Sequence, residues 1–141
     1  DQLTSPFTWS QAQEAALSIS NPTLGYISGA KLTGLRNSAE TDLVTYVASL
    51  YAAKGYNFGY WTGGTEQDHL GIWTWQDTGQ TFSTGYSSTL NLTIPSGVYT
   101  KWAGGEPNGE GSEPCVEGYS NGYWNDVSCN KAQYMFIFRF N

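Results

Sequence analysis

The sequence predicts an α+β domain, on three observations. Helical hydrophobic spacing is confined to the part before Gly55. From Tyr56 onward aromatic, Thr and Gly residues alternate at short intervals, as in brief strands. Between Gly104 and Cys129 the chain reads GGEPNGEGSEPCVEGYSNGYWNDVSC, a Gly- and Pro-broken loop region dense in acids and amides. Helices first and strands after, without βα alternation, indicate segregated layers. A chain of 141 residues is long enough for a substantial core and fits one domain over 1–141, with no repeat or linker.

The first helix is expected from about Thr8 to Ile19, where Trp9, Ala12, Ala15, Ala16 and Ile19 approach one stripe. Thr8 or Ser10 suits its N-cap, and Asn21-Pro22 stops it. Segment 23–36 is Gly-broken and mixed, fit for a strand or two. Asn37 with Glu40 three residues on forms a capping-box pattern for a second helix. Leu43, Val44, Val47, Leu50 and Tyr51 follow at helical spacing up to Lys54-Gly55, and both helical stripes are expected in the core. Strands are expected at Phe58–Trp61, Gly71–Trp75, Tyr123–Trp124 and Gln133–Phe140. The Ser/Thr/Gly-rich residues 78–100 fit either a surface hairpin through Leu90, Leu92 and Ile94 or a wall beside the site. Asn91-Leu92-Thr93 is a glycosylation sequon, relevant only on a eukaryotic secretory route.

Composition narrows the function. Charged residues make up 13% and aromatics 16%, the opposite of a disordered chain. A formal net charge of −6 disfavours nucleic acid and anionic membrane as partners. No apolar run approaches the roughly eighteen residues of a membrane span. The start, Asp1-Gln2-Leu3-Thr4, is polar and carries no signal-peptide pattern, as in a mature secreted protein or an excised domain. Cys115 and Cys129, with no C-x-x-C and a single histidine, make zinc a poor candidate.

Glu106, Asn108, Glu113, Asn125 and Asp126 supply the oxygen ligands that calcium takes in sets of roughly six to eight. Loops on a rigid scaffold are where binding residues gather. These five are the candidate calcium ligands.

The ordered set Glu106-Pro107-Asn108, Glu113 before Cys115, Trp124-Asn125-Asp126 and Cys129 resembles a C-type lectin-like domain. Trp61-Thr62-Gly63-Gly64 resembles that family's WIGG element, Gly71 to Asp77 its G-x-W-x-W-x-D stretch, and Phe136 to Phe140 its final strand. The resemblance runs over nearly the whole chain. It implies two helices packed on small antiparallel sheets with a long calcium-binding loop region. It also implies a Cys115–Cys129 disulfide, in keeping with a loop-rich domain and a contribution of roughly 3 kcal/mol, and a cis Glu106-Pro107 bond.

In such lectins two neighbouring sugar hydroxyls complete the calcium shell. Glu106 and Glu113 would accept from them, Asn108 and Asn125 would donate, and Tyr119, Tyr123 or Val127 would pack on the ring, with Trp102 and Trp124 in the core. The order acid-Pro-amide implies mannose-type sugars with equatorial hydroxyls: mannose, glucose, fucose and N-acetylglucosamine. Glycans or glycoproteins outside the cell are the implied partners, bound weakly per site and so through several copies or a larger parent chain.

Two departures qualify the resemblance. The family's long-range disulfide is missing, and by register Ala16 and Phe138 stand in its place as an apolar pair. The positions of an auxiliary calcium's acids are Gly109 and Pro114, with only Glu110 nearby, so one calcium is expected. The competing functions are a calcium-rigidified adhesin or receptor head that binds protein, or an ice or mineral surface, and an enzyme. Glu106 and Glu113 mimic a glycosidase pair, but a metal-bound carboxylate is a poor general acid, and His69 fits a solvated loop. Neither a nucleophile elbow nor a phosphate-binding glycine loop occurs, so catalysis is not expected.

Overall fold

The computed structural model describes residues 5–20, 22–25, 29–56 and 59–140. Helix α1 runs Trp9–Ser18. Thr8 caps it in a capping box completed by Gln11, so two of the first-turn N–H groups find partners locally. A 3-10 turn covers Pro22–Leu24 and a short strand, β1, Lys31–Leu32. Helix α2 runs Ser38–Ala52. The Asn37 side chain accepts from the Glu40 N–H at 2.9 Å. The Glu40 carboxylate turns instead to the Arg36 N–H and to Arg139, so this cap is not a reciprocal box. Gly55 ends the helix at φ +88°, a conformation that costs glycine no Cβ clash.

Strands β2 (Tyr60–Thr65), β3 (Ile72–Trp75), β4 (Thr81–Thr84), β5 (Cys115–Gly118) and β6 (Trp124–Val127) form one sheet in the order β4-β3-β2-β5-β6. Strand β7 (Met135–Phe136) joins it parallel to β2, and β8 (Phe138–Arg139) pairs with β1 in a small second sheet. Two of these strands, β4 and β5, escape the sequence pattern, and the expected strand at Gln133–Phe140 is split in two. The expected strand start at Phe58 and helix stop at Asn21 lie outside the described residues.

Alternation along β2 and β5 divides the core by face. Tyr60 and Val116 belong to one cluster with Leu35, Trp73, Trp75, Phe82 and Trp124. Trp61 and Cys115 belong to another with Trp9, Ala12, Ala16 and Leu32, the face covered by α1. Trp61, Trp73, Trp75 and Trp124 are all buried. Each contributes about 5 kcal/mol of transfer free energy, which makes this sheet the rigid scaffold of the molecule.

Two expectations about the core are corrected. The α2 stripe does not lie in it: Leu43, Val47, Leu50 and Tyr51 are exposed, and only Val44 packs inward. The helix instead buries its small-residue side, Thr41 and Ala48. The Ala16–Phe138 pairing also fails as an internal filler. Ala16 is fully buried and Phe136 packs against its cluster, whereas Phe138 is 40% exposed. No helix among the described residues is long and apolar enough to cross a membrane.

Candidate functional site

Strands β5 and β6 pair in the register Cys115↔Val127, Val116↔Asp126, Glu117↔Asn125 and Gly118↔Trp124. Cross-strand partners share a face, so Asp126 stands on the side of the Trp124 core and Asn125 on the opposite side with Glu117. The Cys115–Cys129 disulfide ties the end of this ribbon, with Cα atoms 5.1 Å apart. The loop from Ala103 to Pro114 folds back over β6. It starts on a turn in which the Glu106 N–H donates to the Ala103 carbonyl at 3.0 Å. The Glu106–Pro107 peptide bond is cis.

Asp126 is fully buried and holds this loop. Its carboxylate accepts the Asn108 N–H at 3.0 Å and the Gly109 N–H at 2.7 Å. Gly109 is required by close approach: a Cβ there would come within 2.5 Å of the Glu113 side chain. Residues 78–100 brace the loop from outside. Thr84 and Thr93 bridge as in a hairpin, Ser87 N–H donates to the Pro107 carbonyl at 2.8 Å, and Ser88 Oγ donates to Glu110 at 2.9 Å. The stretch is both hairpin and wall.

The acids of the loop crowd one another. Glu106 is pushed up to about 7, first by desolvation, then by a hydrogen bond with Asp126 and by the charges of Asp126 and Glu113. Glu113 is raised by burial and then by Asp126 and Glu117, with Lys131 partly opposing. Glu106 Oε2 is buried without a hydrogen-bond partner. Like charges this close, one of them held near neutrality, form a site short of positive charge. A hard cation would meet that need, and carboxylate and amide oxygens are the donor type that calcium takes. Among the described residues no set of three or more His, Cys, Asp or Glu side chains stands in metal-holding geometry. Asp126 spends its oxygens on backbone N–H groups, and the Asn125 amide donates to Glu117 Oε1 at 3.4 Å.

The structure thus gathers Glu106, Glu113, Asp126 and the backbone of Asn108, and sets Asn125 behind them. Tyr119 sits between the two sets. Its hydroxyl is pushed up to about 12 by burial and by Glu117. Tyr123 is 40% exposed, with Lys101 Nζ 4.5 Å from its ring centre. Val127 is partly buried and packs against the α1 cluster. Two acids escape the sequence pattern. Glu117 is fully buried and paired with Lys131 at 2.8 Å. Glu66, also buried, accepts from the Gly71 N–H and the Tyr86 hydroxyl and keeps Oε1 unpartnered. Glu117 carried a weak signal in its place beside Val116 and Tyr119, where an acid is unusual, whereas Glu66 lies in the polar stretch 63–69 and carried none.

Comparison with known proteins agrees with this architecture. The profile of the family described as Lectin C-type domain matches residues 26–137. Pulmonary surfactant-associated protein D of Sus scrofa is 48% identical over 50 residues, 30% of this chain and only 13% of that relative. The C-type carbohydrate-recognition domain of cow CD23, solved in the presence of a GlcNAc2Man3 oligosaccharide, is similar with a TM-score of 0.65 and 25% identity, over 96% of this chain and 82% of that one. Human lithostathine shares the fold with a TM-score of 0.65 at 21% identity, over 97% of this chain and 86% of that one. The protein belongs to the C-type lectin domain family, whose members bind carbohydrate and are not enzymes.

Proposed function

We propose that this domain binds mannose-type sugars through one calcium ion, outside the cell, as a single recognition unit over residues 1–141. The observation that carries the reading is the crowding of Glu106 against Asp126 and Glu113, with Glu106 Oε2 left buried and unpartnered. Glu106, Asn108, Glu113 and Asp126 would hold the ion, with the Asn125 amide leaving Glu117 to join them. When bound, calcium supplies open coordination positions for two neighbouring sugar hydroxyls. Glu106 and Glu113 accept protons of those hydroxyls in hydrogen bonds, while the Asn108 and Asn125 amides donate. Asp126 orients the loop by gripping the Asn108 and Gly109 N–H groups. Tyr119 and Tyr123 border the sugar. The cow CD23 domain with its mannose-containing oligosaccharide supports the sugar class, and the EPNH mutant of CEL-I shares the fold with a TM-score of 0.62 at 26% identity.

We read the chain as a variant without the long-range disulfide, since both of its cysteines lie in the 115–129 bond. Calorimetric titration with methyl mannoside, methyl galactoside and calcium tests the function. Binding near millimolar, present only with calcium and stronger for the mannoside, is expected for one exposed monosaccharide site. Equal binding in excess chelator, or a preference for galactoside, overturns the reading. Calcium binding without any sugar response would favour the protein-binding head.

A further inference from the structure

We infer that α2 carries a self-association surface, by which two copies of this chain pack face to face. In a helix, residues at i, i+3, i+4, i+7 and i+8 share one side. Leu43, Tyr46, Val47, Leu50 and Tyr51 follow that spacing, as a core stripe would. Yet the side turned to the core is the other one, with Thr41 and Ala48 buried and Val44 packed on the sheet. Leu43 is 64% exposed, Tyr46 62% and Leu50 47%, so the bulky stripe faces solvent along the full length of the helix. Tertiary structure gives these residues no reason to be apolar.

The stripe borders a groove of about 400 Å³ between α2 and the last strands, lined by Leu43, Val44, Val47, Met135, Ile137 and Phe138. Phe138 adds an exposed ring to the same patch. Covering the exposed parts of these side chains would remove on the order of 500 Å² per copy. That is about 1,000 Å² for a pair, the lower bound for a specific interface. An isolated domain rarely leaves so contiguous a patch open.

Charge selects a second copy as the occupant. The chain has twelve acids against six Lys and Arg, so two copies repel over most of their surfaces. The charged residues lining the groove, Glu40 and Arg139, neutralise each other as an ion pair at 2.8 Å, so this face lacks the acidic excess of the chain as a whole. A twofold-related copy brings the same stripe and the same rim pair. The contact is therefore closed and self-complementary, with each Arg139 able to meet the other copy's Glu40. The inference does not rest on the sugar reading, although a dimer would carry two binding sites and gain avidity.

Sedimentation equilibrium of the intact chain, 15.4 kDa as a monomer, tests it. A reversible dimer should form below about 1 mM, the range open to a small interface. The Leu43→Glu/Val47→Glu pair should weaken it by ~100-fold or more, as expected for charges placed at the centre of an apolar contact. Far-UV circular dichroism should be unchanged, because both side chains are solvent-exposed. Tyr46→Arg, at the most exposed ring of the stripe, provides a second disruption should the double variant fold poorly. A chain that stays monomeric to that concentration overturns the proposal and leaves the patch to an unlike partner. A dimer that persists unchanged in a folded variant overturns it equally.

Discussion

Glu117 and Glu106 are neighbouring acids in one small loop-and-ribbon unit, yet the fold treats them in opposite ways. Glu117 is fully buried and surrounded by donors: Lys131 at 2.8 and 3.0 Å, Gln133 and the Asn125 amide. Glu106 is half-buried and surrounded by acids, and its carboxyl is pushed up to about 7. Burial alone therefore does not distinguish a structural carboxylate from one awaiting a ligand. The supply of positive charge does. Where the chain provides its own cation the acid serves the scaffold, and where it provides none an external cation is the natural partner.

The largest expected effect tests the scaffold side. Lys131→Met should cost about 2–3 kcal/mol in urea unfolding, less than a fully enclosed pair because the lysine is partly solvated. Adding Glu117→Gln should recover most of that loss, since the buried charge disappears with its partner. Lys131→Met with wild-type stability would mean that Glu117 needs no counter-charge, and the contrast with Glu106 would collapse.

Next in size is the ligand side. Exchanging Glu106→Gln and Asn108→Asp keeps one acid and one amide but trades the positions of acceptor and donor. The mannose-to-galactose ranking should move by about tenfold toward galactose, while calcium affinity changes less. Calcium retained with an unaltered sugar ranking would show that these side chains do not touch the sugar.

The smallest effect is a pH slope of opposite sign in two measurements. Folding raises Glu106 from 4.5 to about 7, so the folded state holds this proton more tightly than the unfolded one. In the calcium-free protein its contribution is complete below the unfolded value and is lost as pH rises through about 7. The melting temperature without calcium should therefore fall between about pH 5 and 8. Calcium affinity should rise over the same interval, because protons and metal compete for the same oxygens. Glu106→Gln should flatten the first slope. A calcium-free melting curve that climbs with pH in the wild type, and equally in the variant, would separate Glu106 from the acid cluster.

Local chemistry was the legible part of this fold. Thr8 and Asn37 cap their helices because capping depends on residues within one turn. The loop acids were legible for a similar reason, as carboxylates and amides among glycines have few structural uses. Long-range partnership was not. The α2 stripe has a perfect helical period, but period shows only that one side is apolar, not which side meets the sheet. Strand β5 holds Glu117, whose acid breaks the β pattern and makes sense only beside Lys131 and Gln133, which arrive from a later loop. Asn125 and Asp126 are adjacent in sequence and read as one ligand pair. Here Asp126 holds the Asn108 and Gly109 N–H groups while the Asn125 amide meets Glu117, partnerships that a motif does not display.

The aromatic cluster gives these tests an internal optical reporter. Trp124 lies 5.2 Å from Trp75 and 6.0 Å from Trp102 between ring centres, and Trp73 meets Trp102 at 5.2 Å, all at steep angles. Indoles held edge to face at such spacing couple their strong far-ultraviolet transitions, so the circular dichroism should carry an exciton pair from the core. Trp124 is followed directly by Asn125 and Asp126 in the same strand. Any ligand that draws those two residues together would turn one oscillator against its neighbours, and the event at the loop would be written in the spectrum of the core.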